Sequence, residues 1–326
     1  MTFSIIVPAY NIEDYLPACL KSILPAICPE DEILLSLRPE ATADRTNAIA
    51  LEYAEKYDNI HIVKQSGKGL SDARNCAILQ AKGDYLLFAD GDDFVYTEVL
   101  QALLAKIRSG EYAADVIMTD YYTDRLSDGQ KVLVKQVGER TLRGLEHLPE
   151  VMQRTSAYWP VWRNVYKTAY LKANKLSFCD TSFNEDADFT VRLYATEPDV
   201  LFADAPFYHY RRGREGSLMN ERALLRMTQN AEIFRRSIFL LRAKDSSWRQ
   251  AAVTGLQYGY VMNLAILQEV PAKDRAQAAE VFHDWKGALI PASDPWVKRF
   301  AKALNICGVR NMARILQLFK KIKRLR

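Results

Sequence analysis

Short apolar runs alternate with amphipathic stretches through the amino-terminal third of the chain. Phe3–Val7 is a β-branched run ended by Pro8, which predicts a strand. Asn11–Leu24 repeats its apolar residues at helical spacing, with Tyr15, Cys19, Leu20 and Ile23 on one face. Glu32–Leu37 reads as a second strand and leads into a polar loop. Asp44–Tyr57 then predicts a helix with Thr42 or Asp44 as its cap. Ile60–Val63 is a third strand, Gly67–Gly69 opens a loop, and Ser71–Ala81 is a helix stopped by Gly83. Tyr85–Ala89 makes a fourth strand and Thr97–Ser109 a helix that ends at Gly110. This strand–helix alternation argues for a parallel, doubly wound sheet.

From Ala113 the pattern changes. Val116–Thr123 and Lys131–Val137 predict strands on either side of the turn Ser127-Asp128-Gly129. An aromatic loop follows, Tyr158-Trp159-Pro160-Val161-Trp162. The sequence is helical from Glu221 to about Gln268 and again from Ala272 to Trp285. A boundary is expected near Gly216, where RRGREG interrupts the order, and no internal repeat is visible.

Composition adds little until charge is placed along the chain. With 326 residues, 49% hydrophobic and 26% charged, the chain can bury a sizeable core in two domains or in one domain with an appendage. No stretch offers the ~20 apolar residues of a membrane span. The opening MTFSIIVPAYN is too short for a signal peptide and lacks a basic leader. The five cysteines are scattered without a CxxC pair and read as free thiols in a reducing cytosol; the four histidines form no zinc cluster. After Asp294 come ten Lys or Arg and no acid, so 34 of the 44 basic residues face all 40 acidic ones in the rest of the chain. The basic character belongs to the tail alone.

The fourth apolar run stops at Asp90-Gly91-Asp92-Asp93. Carboxylates at the carboxyl end of a buried strand would lie in the crevice where open α/β sheets bind ligands. Like charges this close repel unless a cation or solvent relieves them. Asp90-x-Asp92 is therefore a candidate site for a divalent ion, Mn or Mg, that carries a phosphate-bearing substrate. An acidic turn with Gly91 serving the backbone explains the same residues without a metal. A second acidic pair, Glu185-Asp186, stands in NEDADF, which also reads as a helix N-terminus with acids favoured by the dipole.

Five segments, taken in order, resemble glycosyltransferase family 2. They are SIIVPAYN at Ser4–Asn11, GKGLSDARN at Gly67–Asn75, GDYLLFADGDD at Gly83–Asp93, FNEDADFTVRL at Phe183–Leu193 and YHYRRGREGSLM at Tyr208–Met219. Each segment is short, and their order and spacing over residues 3–219 carry the resemblance. It implies an α/β GT-A domain over residues 1–215, with a Rossmann-like, mostly parallel central sheet flanked by helices. Within it, a nucleotide-sugar half would span 1–110 and an acceptor half 111–215, followed by a helical C-terminal region at 216–326. The implied activity is inverting transfer of a sugar from a nucleotide-diphosphate sugar, a UDP-sugar by default, to a hydroxyl of a saccharide or lipid-linked acceptor in surface polysaccharide synthesis.

The resemblance also assigns roles. Asp92 would ligate the metal and Asp90 would share the ion or lie near the ribose. Asp93 would orient the loop, or stand as a solvated neighbour or helix cap. The departing diphosphate gains charge as the anomeric carbon becomes cationic, and a divalent ion would stabilise that charge. Pro8, Ala9, Tyr10, Asn11, Asp44 and Gly91 would line the nucleotide-sugar site, while Lys68, Arg74 and Arg211 would neutralise the diphosphate. Asp186 would take the acceptor proton, with Glu185 as its neighbour and orienter. His209, between two tyrosines, is either a further metal ligand or a packed, hydrogen-bonded residue. Trp159 and Trp162 are the expected acceptor surface, because sugar faces stack on aromatic rings; core packing is the competing reading. One segment departs from the family. Its usual Asp-Asp-Gly-Ser-x-Asp, whose early acid contacts the nucleotide base, becomes Leu35–Asp44, in which only Asp44 is clearly retained. Ser36, Arg38 or Glu40 would have to substitute, and the base identity stays open.

The tail sets Ile315, Leu316, Leu318, Phe319, Ile322 and Leu325 among Arg314, Lys320, Lys321, Lys323, Arg324 and Arg326. As a helix it suits an anionic membrane surface, giving residues 298–326 as the expected contact and a cytoplasmic protein peripheral on the inner face of the membrane. No nucleic-acid motif accompanies the charge, so no nucleic acid is expected as a partner, and a packed, solvated C-terminal helix is the alternative. Two other function classes remain. One is a non-catalytic nucleotide-sugar or carbohydrate-binding protein with a degenerate site, motivated by the altered 35–44 segment. The other is a nucleotidyltransferase, for which the glycine-rich, lysine-containing signature near the amino terminus is missing.

Overall fold

The computed structural model describes residues 1–38, 42–125, 128–135, 140–153, 159–212 and 223–324. Its strands are β1 (Phe3–Ala9), β2 (Glu32–Leu37), β3 (Ile60–Lys64), β4 (Tyr85–Phe88), β5 (Phe94–Val95), β6 (Val116–Asp124), β7 (Lys131–Val134), β8 (Leu142–Arg143), β9 (Asn164–Lys167) and β10 (Val200–Tyr210). Its helices are α1 (Leu16–Ile23), α2 (Thr46–Lys56), α3 (Gly69–Gln80), α4 (Thr97–Arg108), α5 (Leu148–Gln153) and α6 (Thr168–Ala173). They continue with α7 (Glu185–Ala195), α8 (Ala223–Arg242), α9 (Ser247–Leu264), α10 (Arg275–Glu280), α11 (Trp285–Leu289) and α12 (Pro295–Arg324).

Two compact units are present: Met1–Asp180 with Thr196–Arg214, and Thr181–Ala195 with Glu215–Arg326. The expected division at 215 and 216 kept residues 181–195 with the sheet. Instead, α7 groups with the C-terminal helices, because its buried Asp188 forms an ion pair with Arg236 of α8 at 2.7 Å. The Ser182 backbone N–H also donates to Gln229 of α8 at 3.0 Å. The expected boundary at Gly216 and the RRGREG residues from Gly213 lie outside the described residues.

The first unit is built on one sheet in the order β3-β2-β1-β4-β9-β6-β10-β5, with β7 paired to β6 and β8 to β10. The four strands β3, β2, β1 and β4 are parallel. Beyond β4 the sheet is mixed: β9 runs antiparallel to both β4 and β6, while β6 and β10 are parallel. Every residue of β1 and of β4 is buried, as continuous apolar runs in a central parallel region require. The chain leaves β1 for β2 on one side and returns to β4 on the other, so the carboxyl ends of β1 and β4 face a topological switch point. Pairing between them stops at Ile6 and Phe88, so Pro8 and Ala9 run on past the end of β4. That divergence leaves room for the turn at Asp90–Asp93.

In the second unit the helical run expected from Glu221 breaks at Ser246, whose hydroxyl caps α9 by accepting the Arg249 N–H. Asp294 likewise caps α12, accepting the Trp296 and Val297 N–H groups at 2.8 and 2.9 Å. Gly308, at a φ of 73° that glycine adopts readily, splits α12 into two helical pieces. The apolar positions Val297, Phe300, Ala301, Leu304, Met312, Ala313 and Leu316 are buried, whereas Ile306, Ile315 and Leu318 are exposed. The packed alternative therefore holds for the helix through Leu316. Side chains of residues 319–324, and residues 325 and 326 entirely, lie outside the described structure. No described helix is long and apolar enough to cross a membrane, and all five cysteines are free thiols.

Candidate functional site

The turn after β4 is fixed by what surrounds it. Asp93 N–H donates to the Asp90 carbonyl at 2.9 Å, closing the turn. Gly91 sits against the end of β1: a Cβ there would fall 2.5 Å from Ile12 Cδ1 and 2.9 Å from the Pro8 carbonyl oxygen. The glycine is thus required by close approach, and Pro8 acts as the wall that the turn leans on. Pro8 and Ala9 are buried in β1 and meet a ligand, if at all, through their backbone. Beneath the turn, the buried Cys19 thiol donates to the Asp90 carbonyl at 3.8 Å. Burial, and then the three carboxylates, push that thiol's pKa up, which keeps it a neutral packing group.

The three carboxylates have different environments. Asp90 accepts from the Arg74 guanidinium at 2.8 Å, and Arg74 is 1% exposed. The Arg74 guanidinium also lies 5.0 Å over the Phe178 ring and 5.8 Å over Phe88. Arg74 was expected to neutralise a diphosphate; it is instead an internal counter-ion that holds Asp90. Its neighbours in the Ala-Arg-Asn element are also structural. The Ala73 carbonyl accepts from Ser36 Oγ, and Asn75 exchanges two hydrogen bonds with the backbone of Phe178. Ser36 is thereby turned away from the substitute role in base recognition.

Asp93 is 2% exposed, neither a solvated neighbour nor a helix cap. Its carboxylate accepts from the Tyr208 hydroxyl at 2.8 Å and from the Arg211 N–H at 2.8 Å. Burial, with the nearby Asp92 and Asp90 charges, pushes its carboxyl well above the usual range. Tyr208 also accepts the Asp90 N–H at 3.0 Å, and burial followed by the Asp93 charge raises its phenol pKa strongly. Arg211 donates from its guanidinium to the Asp92 carbonyl at 3.0 Å and covers the Phe94 and Tyr15 rings. Asp92 is half-buried at the outer corner of the turn.

Around this turn, Tyr10 is exposed just past β1, with the Arg38 guanidinium 5.8 Å from its ring centroid. Asn11, in the left-handed region at φ 52°, accepts the Ala43 N–H at 2.9 Å. Asp44 accepts from the Glu13 and Thr46 N–H groups, each at 3.0 Å, and from Thr46 Oγ at 2.9 Å. Although burial opposes it, these donors hold the Asp44 carboxyl below the usual range. These bonds tie the start of α2 to the chain after β1; the N-cap position of α2 is Arg45, without a side-chain cap, so neither Thr42 nor Asp44 fills the expected capping place. Glu40 lies outside the described residues. Lys68 is exposed in the residue preceding α3.

Two expected site residues prove to be packing groups. His209 is 5% exposed and stacks on Phe94 at 4.4 Å. Its Nδ1 bonds the Tyr96 hydroxyl at 3.0 Å and its Nε2 meets Asp124 at 2.9 Å. With both ring nitrogens engaged, the metal-ligand alternative gives way to the hydrogen-bonded one. Trp162, 5% exposed, lies between Tyr208 at 4.4 Å and Tyr210 at 5.4 Å, with Tyr121 edge-on at 4.8 Å. It is core, and only the half-buried Trp159 keeps the accessibility an acceptor surface needs. Tyr158 lies outside the described residues. The role of Tyr208 was not legible in advance; its only signal was its place in a motif with Arg211.

Few carboxylate oxygens of the turn are open to a cation. No cluster of three or more His, Cys, Asp or Glu side chains able to hold a metal occurs among the described residues. Asp90 is shared with Arg74 and Asp93 is turned inward, so the turn offers few oxygens. Mg and Mn accept such sites when water and substrate phosphates complete the shell.

In the second unit, Asp186 lies in the first turn of α7 with Glu185 and Asp188. Asn184, at φ 63°, presents its carbonyl to the Ala187 and Asp188 N–H groups and starts the helix. Asp188, nearly buried, is held by Arg192 at 2.8 Å as well as by Arg236. These bonds fix the helix start that carries Glu185 and Asp186.

A family model for glycosyl transferase family 2 matches residues 4–169. The uncharacterized glycosyltransferase EpsJ of Bacillus subtilis (strain 168) is 31% identical over 212 residues, covering 64% of this chain and 60% of the relative. The poly(ribitol-phosphate) beta-N-acetylglucosaminyltransferase TarS of Staphylococcus aureus (strain Mu50 / ATCC 700699) is 29% identical over 227 residues, covering 68% of this chain and 37% of TarS. The chain thus matches less than two thirds of the length of these relatives. The crystal structure of S. aureus TarS 1-349 in complex with UDP-GlcNAc superposes with a TM-score of 0.72 at 21% identity, covering 98% of this chain and 92% of that one.

Proposed function

The chain belongs to glycosyltransferase family 2, and from that membership we propose that it transfers a sugar, with inversion, from a nucleoside-diphosphate donor to an acceptor hydroxyl. The observation that carries this reading is the braced acidic turn at the switch point between β1 and β4, where an α/β sheet takes its ligand. Transfer breaks the bond between the anomeric carbon and the phosphate oxygen, whose electron pair leaves with the nucleoside diphosphate. The acceptor oxygen forms the new bond from the opposite face and gives up its proton.

Asp92, with the outer oxygen of Asp90, would hold Mn or Mg; the bound ion supplies neutralisation of the charge that grows on the departing diphosphate. Arg211 and Lys68 are the cationic groups proposed for the phosphates, and Arg74 acts by pinning Asp90. Tyr10 and Arg38 are proposed to flank the nucleotide base. Asp186 takes the acceptor proton, favoured as an anion by the start of α7, and Glu185 assists as its neighbour. Trp159 is proposed to stack on the acceptor sugar. A UDP-sugar donor is supported by the UDP-GlcNAc complex of TarS, and a saccharide or polyol-phosphate polymer as acceptor by the poly(ribitol-phosphate) in the name of that relative.

A panel of nucleotide sugars, read by thermal shift with Mn and by release of nucleoside diphosphate, tests this. A donor at 100 times its dissociation constant should stabilise the protein by about 2.7 kcal/mol. If no donor shifted the melting transition or was turned over, the transferase reading would be lost. A donor that shifted melting without transfer would favour a binding protein instead.

The tail is proposed to touch an anionic membrane through exposed Ile315 and Leu318 and the basic residues that follow. Truncation at Asp294 is unsuitable as a test, because it removes Val297, Phe300, Leu304 and Met312 from the core. Replacing Lys320, Lys321, Lys323, Arg324 and Arg326 with Gln keeps that core. At about 1 kcal/mol per basic residue near the surface, the variant should bind phosphatidylglycerol vesicles at least tenfold more weakly. Equal co-sedimentation of parent and variant would dismiss the membrane contact.

A further inference from the structure

The geometry points to Tyr208 as the positioning residue of the acidic turn: its buried hydroxyl, which need not touch the donor, sets the aim of Asp92. This inference rests on the proposed metal-dependent transfer and adds a residue to it. The Tyr208 hydroxyl accepts the Asp90 N–H at 3.0 Å and donates to Asp93 Oδ2 at 2.8 Å, so one atom ties both ends of the four-residue turn. The other oxygen of Asp93 accepts the Arg211 N–H at 2.8 Å, and the Arg211 guanidinium donates to the Asp92 carbonyl at 3.0 Å. The end of β10 thereby clamps the turn from residues distant in sequence. Gly91 leans on Pro8 from the other side.

The hydroxyl can act this way because its own ring is fixed. Tyr208 is fully buried and stacks on Trp162 at 4.4 Å with the ring planes 16° apart. Asp92 is left with a backbone held at its carbonyl and at the residues flanking it. Loss of the hydroxyl takes a partner from the Asp90 N–H and another from the buried Asp93 carboxylate. The turn must then relax towards other donors, and the Asp92 carboxylate moves with it. Loss of a group that orients a metal ligand commonly costs 10- to 100-fold in metal affinity, and Tyr208 acts on Asp92 through the backbone of the turn.

The test titrates Mn into the full chain with UDP present, following free Mn by its electron paramagnetic resonance signal. Tyr208→Phe should weaken Mn binding roughly tenfold or more, while UDP affinity without metal stays within about twofold of the parent. Tyr85→Phe is the control: it removes another buried hydroxyl from the same sheet, one that donates to the Ala114 carbonyl at 3.2 Å, and should leave Mn binding unchanged. If Tyr208→Phe does not fold, Asp93→Asn reads the clamp from its other end, turning one acceptor oxygen into a donor, with the same loss expected. Mn affinity within twofold of the parent for the folded variant overturns the clamp alone, as does an equal loss in Tyr85→Phe. A parent chain that takes up no Mn with UDP overturns the metal reading and the clamp together.

Discussion

Asp92→Asn should lower kcat/KM for sugar transfer roughly a thousandfold while leaving the melting temperature nearly unchanged. The expected loss corresponds to about 4 kcal/mol, the several kcal/mol by which a metal ion stabilises charge developing in a transition state. The substitution preserves shape, and Asp92 is anchored through its backbone carbonyl by Arg211, a bond the change leaves intact. Asp90→Asn should behave differently. It removes the charge that Arg74, 1% exposed, uses at 2.8 Å, so it should cost stability as well as activity, roughly 3 kcal/mol for a broken buried pair. Calorimetry and transfer kinetics on both variants separate the two effects. Retention of more than a tenth of the parent kcat/KM by Asp92→Asn would remove that residue from the reaction.

Asp186→Asn is expected to reduce kcat by about a hundred- to ten-thousandfold, the range supplied by a positioned general base. The reasoning is local to α7. Asp186 stands in the first turn of α7, where the helix dipole favours an anion, and the helix start is fixed by Asn184 and by the Asp188 ion pairs with Arg192 and Arg236. An amide at this position keeps the helix and loses the proton acceptor. Donor and Mn affinities should therefore match the parent, and only the rate should fall. Glu185→Gln, at the neighbouring position, should have the smaller effect. Full transfer activity in Asp186→Asn, or a comparable fall in donor affinity, would assign the residue to something other than proton removal.

The parallel half of the sheet was legible because its strands are unbroken apolar runs between turn residues, as in Phe3–Val7 and Tyr85–Ala89. The strand Val200–Tyr210 was not. Asp204 and Pro206 break its alternation, and its pairing with β6 shifts register between Ala203 and Tyr208. Site residues divided by the same logic. A motif marks where a residue stands but not which way it faces. Arg74 and Trp162 carry the right chemistry for phosphate and sugar, yet Asp90 with the distant Phe178 ring, and Tyr208, respectively, hold them inside. The Thr46 contacts of Asp44 are local, two residues away, whereas the partners of Asp93, Tyr208 and Arg211, arrive more than a hundred residues later and leave no local signal.

The column of rings formed by Tyr208, Trp162 and Tyr210 joins one loop to one strand by face-to-face contact. A smaller ring at 162 would open a gap beside the ring that carries the Tyr208 hydroxyl, and so would loosen the acidic turn as well as the core.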